Sequence, residues 1–322
     1  MGLRMDNIKG HIITNSFLNT KKYTEHYEWL KASASKYSTG LKVLENADIL
    51  CSYSSSWEEK LSSAIDGDSF ILYWDKDIRL GRQLEALCRQ RGILFFNSIE
   101  TVAVCDDKSL TYQKLWEWNQ GKEESLRIPL VPTITAPMTY SNIGYTDLNF
   151  LDKITEEFSF PIVVKECFGS FGMQVYLAEN RRQLEEIVLK LGGTPHIYQK
   201  FIKESSGRDV RLQIVGGKVA AAMYRYSSNG DFRANVTTGA HTKPYKPSDS
   251  ECMLAIKTAG ILGLDFGSVD LLFPDNNGRA GIVCEVNSNA HFKSISDCTG
   301  VNVADKIIDY IISQVRLNRS SI

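Results

Sequence analysis

Short apolar runs alternate with amphipathic stretches in the first third of the chain. The apolar runs lie at 10–14, 69–74 and 93–96, and the stretches with helical spacing lie at 21–37 and 77–90. This alternation is typical of βαβ units. Gly92 follows the second helix, and glycine readily takes the left-handed conformation found at helix ends. We therefore predict a small open α/β domain over residues 1–97.

The pattern changes after residue 97. Asn97 and Ser98 are helix-capping residue types, and three prolines make 128–140 extended or loop-like. The spacing of apolar residues predicts helices at 98–104, 107–118, 148–158 and 181–191, strands at 161–166 and 174–178, and a glycine-rich turn at 168–173. We assign residues 98–196 to a central domain that contains this turn.

Strand patterns dominate the last part of the chain. Antiparallel strands are predicted at 197–202, 208–215, 218–226, 266–273 and 281–287, and helices at 251–262 and 303–315. Gly216 and Gly217 suit a tight hairpin, and 274–278 has the composition of a turn. Residues 197–322 form the third predicted domain.

Composition excludes several classes of protein. The 322 residues are 43% hydrophobic and 23% charged, as in ordinary globular proteins of two or three domains. The net charge of -1 provides no cationic field, so we expect neither nucleic acid nor a membrane surface as partner. No apolar run approaches the roughly 20 residues of a membrane-spanning helix. The 7 cysteines are scattered without a C-x-x-C pair, which favours a reducing cytoplasm.

Common chemical motifs are absent from the sequence. It contains no G-x-G-x-x-G, no G-x-x-x-x-G-K-[ST], and no metal-ligand spacing among its 5 histidines. Polar residues embedded in apolar strands are the remaining candidates for chemistry.

One such residue, Lys165, ends an apolar strand directly before the glycine-containing loop 169–172. Glycines let backbone N–H groups approach a phosphate closely, and the lysine would add a positive charge. From this segment alone we favour a simpler interpretation, a hairpin turn with a lysine that extends to solvent.

A second group combines carboxylates and an amide. Glu285 and Asn287 are two apart on one strand, so their side chains share a face, and Asp270 joins them if the two strands pair across the turn at 274–278. These oxygen ligands suit a Mg²⁺ ion that bridges substrate phosphates. A solvated outer sheet face is the alternative, which we disfavour because the groups interrupt apolar strands.

A third group lies in the charged segment 198–211. A free strand edge there can pair with the hydrogen-bonding edge of adenine, while Asp209 suits a ribose and Arg211 a phosphate. Alone, the segment is an ordinary charged loop.

In this order, the groups resemble the ATP-grasp superfamily, and within it the RimK-like carboxylate–amine (alpha-L-glutamate) ligase family. The stretches that carry the resemblance are Asn97-Ser98 with Asp107-Lys108, Val163-Val164-Lys165 with Gly169-Ser170-Phe171-Gly172, Gln199 to Glu204, Gly207 to Arg211, Asp231 to Asn235, Asp270, Glu285 to Asn289, and Thr299 to Ala304.

The resemblance implies an α/β and α+β ATP-grasp fold with an N-terminal Rossmann-like pre-grasp domain. It also implies a ligase in which ATP phosphorylates a carboxylate and an amine then displaces phosphate to form an amide. The cofactors would be ATP and two Mg²⁺ ions, with Mn²⁺ as a substitute. The substrates would be small-molecule or peptide carboxylates and amines, with an amino acid such as glutamate among them, and relatives commonly form homo-oligomers.

The resemblance also implies roles for individual residues. The ATP site would contain Lys108, Lys165, Gly169, Ser170, Phe171, Gly172, Gln199, Lys200, Phe201, Ile202 and Asp209; the metal ligands would be Asp270, Glu285 and Asn287; the catalytic residues would be Arg211, Arg233 and Asn235; and Arg225, Asn289 and His291 would face substrate.

The sequence departs from the family pattern at three positions. Gln174 stands where a glycine is common, which implies a stiffer loop, and Lys200 replaces a frequent glutamate. His291 follows the metal strand where a Pro-Gly pair is often found, and it is either a substrate contact or a partly buried histidine at a helix cap.

Two alternatives in function stay open on the sequence. A small-molecule kinase would use the same ATP site, and a catalytically silent regulatory protein would only bind nucleotide. The segment 74–79 of the first domain either receives a substrate at the end of a strand or begins a helix with favourable aspartates, and we favour the helix start.

Overall fold

The computed structural model describes residues 8–169, 172–276 and 278–320. The first domain is a parallel sheet of order β2-β1-β3-β4 with helices on its faces. Its elements are β1 (Lys9–Thr14), α1 (Lys21–Ser35), β2 (Gly40–Glu45), α2 (Ser55–Ala64), β3 (Phe70–Tyr73), α3 (Ile78–Arg91) and β4 (Leu94–Phe96). The predicted end of α3 is confirmed, since Gly92 has φ 67 and follows the helix directly.

A second, antiparallel sheet of order β5-β8-β6-β7 forms the centre of the chain. The elements here are α4 (Ile99–Asp106), α5 (Lys108–Asn119), β5 (Thr133–Thr135), α6 (Phe150–Glu157), β6 (Ile162–Glu166), β7 (Val175–Ala178), α7 (Arg181–Leu191) and β8 (His196–Lys200). Helices α6 and α7 cover one face through Ile154 and Leu184. Strand β8 extends this sheet to Lys200, beyond the boundary predicted at 196.

The third sheet is antiparallel, with order β11-β10-β9-β12-β13. The last elements are β9 (Arg208–Val215), β10 (Lys218–Tyr226), β11 (His241–Pro244), α8 (Asp249–Leu262), β12 (Phe266–Leu272), β13 (Ile282–Asn287), α9 (Lys293–Thr299) and α10 (Val303–Ser320). Gly216 and Gly217 turn the β9–β10 hairpin at φ 55 and 71, as predicted. Helices α4 and α5 fall within the predicted central domain, but Val104 and Leu115 on these helices pack in the core of the third sheet.

Helix α10 and Asn97 join the first domain to the third sheet. The apolar face of α10, with Ile307 and Ile311, packs in one core with Ile12 of the first sheet and Met223 of the third. The buried Asn97 amide donates to Phe266 O (2.9 Å) and Ser288 O (3.2 Å) and accepts from the N–H groups of Asp265 and Phe266. A buried amide with all of these bonds satisfied holds the two domains in one relative position.

None of the helices within the described stretches combines the length and the apolar character required to cross a bilayer. All 7 cysteines are free thiols.

Candidate active site

Charged residues line one face of the third sheet because of how its strands pair. Asp209 and Arg211 are two apart on β9, which places their side chains on the same face. Arg225 on β10 lies opposite Asp209, and Asp270 on β12 lies opposite Arg211. On β13, Glu285 pairs with Asp270 in the register that the predicted turn requires. The expectation that Asp270 and Glu285 come together is confirmed.

These residues form a compact ion-pair network. Arg211 donates to both carboxylate oxygens of Asp270, at 2.7 Å and 2.6 Å. Arg225 donates to both oxygens of Asp209, at 2.6 Å and 2.7 Å, and also to Asp270 Oδ2 at 2.8 Å. Bidentate pairs of this kind hold both planar groups in a single orientation. The network therefore presents ordered charges without needing a ligand to organise them.

Burial and pairing act in opposite directions on these groups. Burial by itself would raise the pKa of Asp270, but the charges and hydrogen bonds of Arg211 and Arg225 lower that pKa to about 2. At Asp209, burial prevails over Arg225 and raises the pKa above its ordinary value. The pKa of Arg225 is raised, because the two aspartates outweigh its desolvation.

An irregularity in β13 directs two consecutive side chains to the same cavity. On β13, Glu285 pairs with Asp270 and Val283 pairs with Leu271. Cys284 lies between these two partners and has no partner of its own, so it is the extra residue of a bulge. In a regular strand Cys284 and Glu285 would point to opposite faces, but at this bulge both line the cavity described below. Lys165 Nζ donates to Cys284 Sγ at 3.4 Å.

The ammonium group of Lys165 sits in an anionic environment. Its burial would lower the pKa, but Cys284, Glu285 and Asp270 raise the pKa of Lys165 above its ordinary value. The lysine is therefore charged at neutral pH, as a phosphate ligand must be.

Hydrogen bonds connect the glycine-containing loop to Lys108 and to Arg233. Lys108 Nζ donates to Gly169 O at 3.0 Å, and Arg233 Nη1 donates to Gly172 O at 2.8 Å. Gly172 has φ 71, and a Cβ there would lie 3.2 Å from Asn235. A larger residue would be strained at this position. Ser170 and Phe171 lie outside the described residues.

A cavity of about 940 Å³, here called the first cavity, collects most of the predicted ATP site. The predicted residues that line it are Lys108, Lys165, Gly169, Gly172, Gln199, Lys200, Phe201, Ile202, Asp209, Arg225, Arg233, Asn235, Asp270 and Glu285. Sequence reasoning missed the apolar wall, which includes Val131, Val163 and Leu272. Alternation along β6 and β12 is the signal that would have pointed to the last two.

A larger space of about 1670 Å³, the second cavity, adjoins the first. Gln174, Asn235 and Glu285 line both cavities. Of the other predicted residues, Arg211, Asn287, Asn289 and His291 line the second cavity, together with first-domain residues that include Asn15, Tyr27 and Asp75. The arrangement has room for two ligands side by side.

His291 is partly buried and pairs with the buried His26. Its Nδ1 lies 3.1 Å from Nε2 of His26 on α1, in the first domain. Burial, followed by the charge of Lys293, lowers the pKa of His26 to about 4. For His291, burial and then His26, Lys22, Arg211 and Lys76 lower the pKa to about 3. Both rings are neutral at pH 7.

The predicted metal ligands fit a Mg²⁺ ion. Mg²⁺ takes one or two protein carboxylates and fills its remaining positions with phosphate and water, which matches Asp270, Glu285 and the amide of Asn287. The amide of Asn287 would bind the ion through its oxygen, and its buried Nδ2, a donor without a hydrogen-bond partner among the described residues, does not take part in that contact. In those residues no three His, Cys, Asp or Glu side chains are grouped to hold a metal by themselves.

The fold and the first cavity define an ATP-grasp protein. The ATP-grasp ligase PsnB, solved with its minimal precursor, Mg and ADP, has TM-score 0.66 and 14% identity to this chain, over 95% of this chain and 98% of that one. Residues 119–311 match the family model of the RimK-like ATP-grasp domain. The chain belongs to this family.

Curated relatives carry names of ligases and synthases. Human N-acetylaspartylglutamate synthase A is 31% identical over 74% of this chain and 56% of the relative. A probable alpha-L-glutamate ligase of Thioalkalivibrio sulfidiphilus is 34% identical over 52% of this chain and 56% of the relative. The chain thus spans little more than half the length of these relatives.

Proposed function

We propose that this protein is a ligase that uses ATP to join a carboxylate to an amine through an acyl phosphate. The observation that carries the proposal is the convergence of Lys165, Asp270 and Glu285 in a cavity that shares its wall with a second, larger one. Phosphoryl transfer depends mainly on positioning and on neutralising charge, which Lys165 and Mg²⁺ held by Asp270 and Glu285 would supply. The second cavity leaves space for the substrates beside the γ-phosphate.

Residues of the first cavity would hold the nucleotide. Lys108, Lys165 and the loop 169–172 would bind the phosphates, Asp209 would bind the ribose, and the backbone of Lys200 and Ile202 would bind adenine. The apolar wall around them suits a purine ring. Asp209 would exchange part of its bond to Arg225 for the ribose hydroxyls.

Two Mg²⁺ ions would be held by Asp270, Glu285 and Asn287. Bound there, Mg²⁺ neutralises phosphate charge during the transfer. Arg211 holds Asp270 in place through two hydrogen bonds, so it would orient this ligand as well as face the transferred phosphoryl group.

The substrate side of the site would be formed by the remaining predicted residues. Arg233 and Asn235 join the glycine-containing loop to the third sheet, so they would close over the phosphoryl group and exclude water from a hydrolysable acyl phosphate. Arg225, Asn289 and His291 would face the substrate. The names of the relatives support an amino acid, glutamate in particular, as one substrate. A cytoplasmic location and homo-oligomer formation stay predictions from the sequence.

A coupled assay with ATP, Mg²⁺ and a panel of carboxylic acids and amino acids tests the proposal. We expect release of ADP and phosphate together with a product whose mass equals the two substrates minus water. Lys165→Ala and Glu285→Gln should abolish both signals, whereas Lys190→Ala, at an exposed lysine of α7, should retain them. A stable phosphate ester without amide would indicate a kinase, and bound ATP without turnover would indicate a regulator; either result overturns the proposal.

A further inference from the structure

A carboxyl group that lines the second cavity has no charged partner within the part of the chain that the structure describes. Asp75 follows β3 and is 4% exposed. Its Oδ1 accepts hydrogen bonds from the Asn15 side chain (3.1 Å) and from the N–H of Lys76 (2.7 Å). Its Oδ2 is buried and has no hydrogen-bond partner among the described residues, which also contain no ion pair of Asp75. Together with the N–H of Asp77, which also helps to lower the pKa of Asp75, these donors are all neutral groups.

Without a ligand, the buried carboxyl group of Asp75 destabilises the fold. Burial is the main cause that raises the pKa of Asp75, and the hydrogen bonds from Lys76 and Asn15 offset it only in part. A buried acceptor without a partner destabilises a fold by about 1–3 kcal/mol, and by more when it is charged. Such a group in a cavity wall is explained when a ligand supplies the missing donor.

A second aspartate of the same strand shows the contrast. Asp68 precedes β3, its side chain is 2% exposed, and its Oδ2 lies 2.6 Å from Nδ1 of His11. The two carboxyl side chains lie at opposite ends of one strand, and of the two only Asp75, which lines the second cavity, has a buried oxygen without a hydrogen-bond partner among the described residues.

The surroundings of Asp75 favour a small cation. Tyr23, Tyr27 and Trp74 line the same cavity. The pKa of Tyr27 is raised to about 12, first by burial and then by the charge of the nearby Asp75. Aromatic walls lower the local dielectric, which strengthens an ion pair formed inside them. The neighbouring Lys76 ammonium is already paired with Asp106.

The backbone of Asp75 connects this corner to the candidate substrate residues. Asn289 Nδ2 donates to Asp75 O at 3.0 Å, and Asn289 Oδ1 is buried without a partner among the described residues. One acceptor from each domain thus lacks a donor at the same junction. A group with several N–H donors, such as a primary ammonium, is able to satisfy both.

We propose that Asp75 recognises a primary ammonium group of a substrate bound in the second cavity, with Asn289 Oδ1 as a second acceptor. The inference rests on the proposed function, and it specifies one substrate as an amino acid or another small compound with a free ammonium group. The cation belongs to this substrate rather than to the nucleotide, because Asp75 lines the second cavity and not the first.

Calorimetric titration of the Mg²⁺- and ADP-loaded protein tests this inference without any turnover. The probes are the standard amino acids and the N-acetyl counterpart of each, which lacks the ammonium group. The wild type should bind at least one amino acid about 10- to 100-fold more tightly than its counterpart, as expected for a charged hydrogen bond. Asp75→Asn should lose this preference and Asp68→Asn should keep it.

Asparagine is able to accept the same two hydrogen bonds through its oxygen, so Asp75→Asn should fold; unchanged affinity for ADP, measured in parallel, checks this. A preference that survives in Asp75→Asn, or a wild type that shows none, overturns the inference. If the protein prefers the amino acid over its N-acetyl counterpart but forms no amide, the result contradicts only the proposed function and not this inference.

Discussion

The two cavities treat buried charge in opposite ways. In the first, Asp209, Arg225 and Asp270 are ion-paired with one another, and Asp270 also pairs with Arg211, which lines the second. In the second, one oxygen of Asp75 and the amides of Asn287 and Asn289 have buried atoms without partners among the described residues. The first cavity is organised before any ligand arrives, whereas the second holds groups that a ligand would complete.

Sheet geometry explains this difference. The paired charges of the first cavity stand on adjacent strands of a single antiparallel sheet, where residues directly opposite each other are close enough to bond. The second cavity lies where segments of two domains meet, so no strand register supplies partners. Removing the charge of Asp270 in the first cavity should therefore destabilise the fold, whereas removing the charge of Asp75 in the second cavity should stabilise it.

The largest effect is expected for Asp270→Asn in the first cavity. The substitution leaves Arg211 and Arg225 short of a negative partner, and breaking a buried pair costs about 3–5 kcal/mol. Because the folded pKa of Asp270 is about 2, below the ordinary value, its charge stabilises the fold above pH 4 and this contribution disappears as the pH falls toward 2. Urea unfolding at pH 7 and at pH 3 measures both parts.

A surface pair is the matched control. Asp305→Asn removes the partner of Lys36, whose side chain is 56% exposed, and should cost no more than about 1 kcal/mol. Equal losses in the two variants would mean that the buried network has no special energetic role.

An intermediate effect is expected at the histidine pair of the second cavity. The folded pKa values of His26 and His291, about 4 and 3, lie below the ordinary 6.5, so the unfolded chain binds more protons between these limits. Stability should fall as the pH drops from 6.5 toward 4, by at most about 1.4 kcal/mol per pH unit for each histidine. Urea unfolding of His26→Phe at several pH values should show a shallower slope.

The control for this slope is His241→Phe, at an exposed histidine on β11. Its slope should match that of the wild type. If His26→Phe also matches the wild type, the pair is not the source of the acid sensitivity.

The smallest effect, opposite in sign to that of Asp270, is expected for Asp75→Asn without ligand. Burial raises the pKa of Asp75, so its charged form destabilises the fold at pH 7 and the neutral asparagine should add about 1 kcal/mol of stability. The gain should vanish at a pH low enough to protonate Asp75. Thermal unfolding at pH 7 and pH 3 measures it, and a loss of stability at pH 7 would contradict the contrast between the cavities.

Sequence patterns located much of this machinery. The strand predicted at 208–215, which carries Asp209 and Arg211, is confirmed as β9, and the predicted turn at 274–278 brings Asp270 opposite Glu285. The sequence patterns did not predict β2, α9 and β11. Strand β2 is an edge strand with few buried positions, and α9 and β11 are short, so their patterns are weak. For 74–79, both interpretations have support, since Asp77 caps α3 while Asp75 lines the second cavity.

By itself the sequence determined most of the segments that form strands and helices, the family, and the order in which lysines, carboxylates and amides occur. These properties follow from local periodicity and from residue type. Only the tertiary structure decided that Arg225 bonds to Asp209, that a bulge directs the side chains of Cys284 and Glu285 to one cavity, and that Asp75 Oδ2 has no hydrogen-bond partner among the described residues. Such features depend on strand register and on the docking of distant segments, which no local pattern encodes.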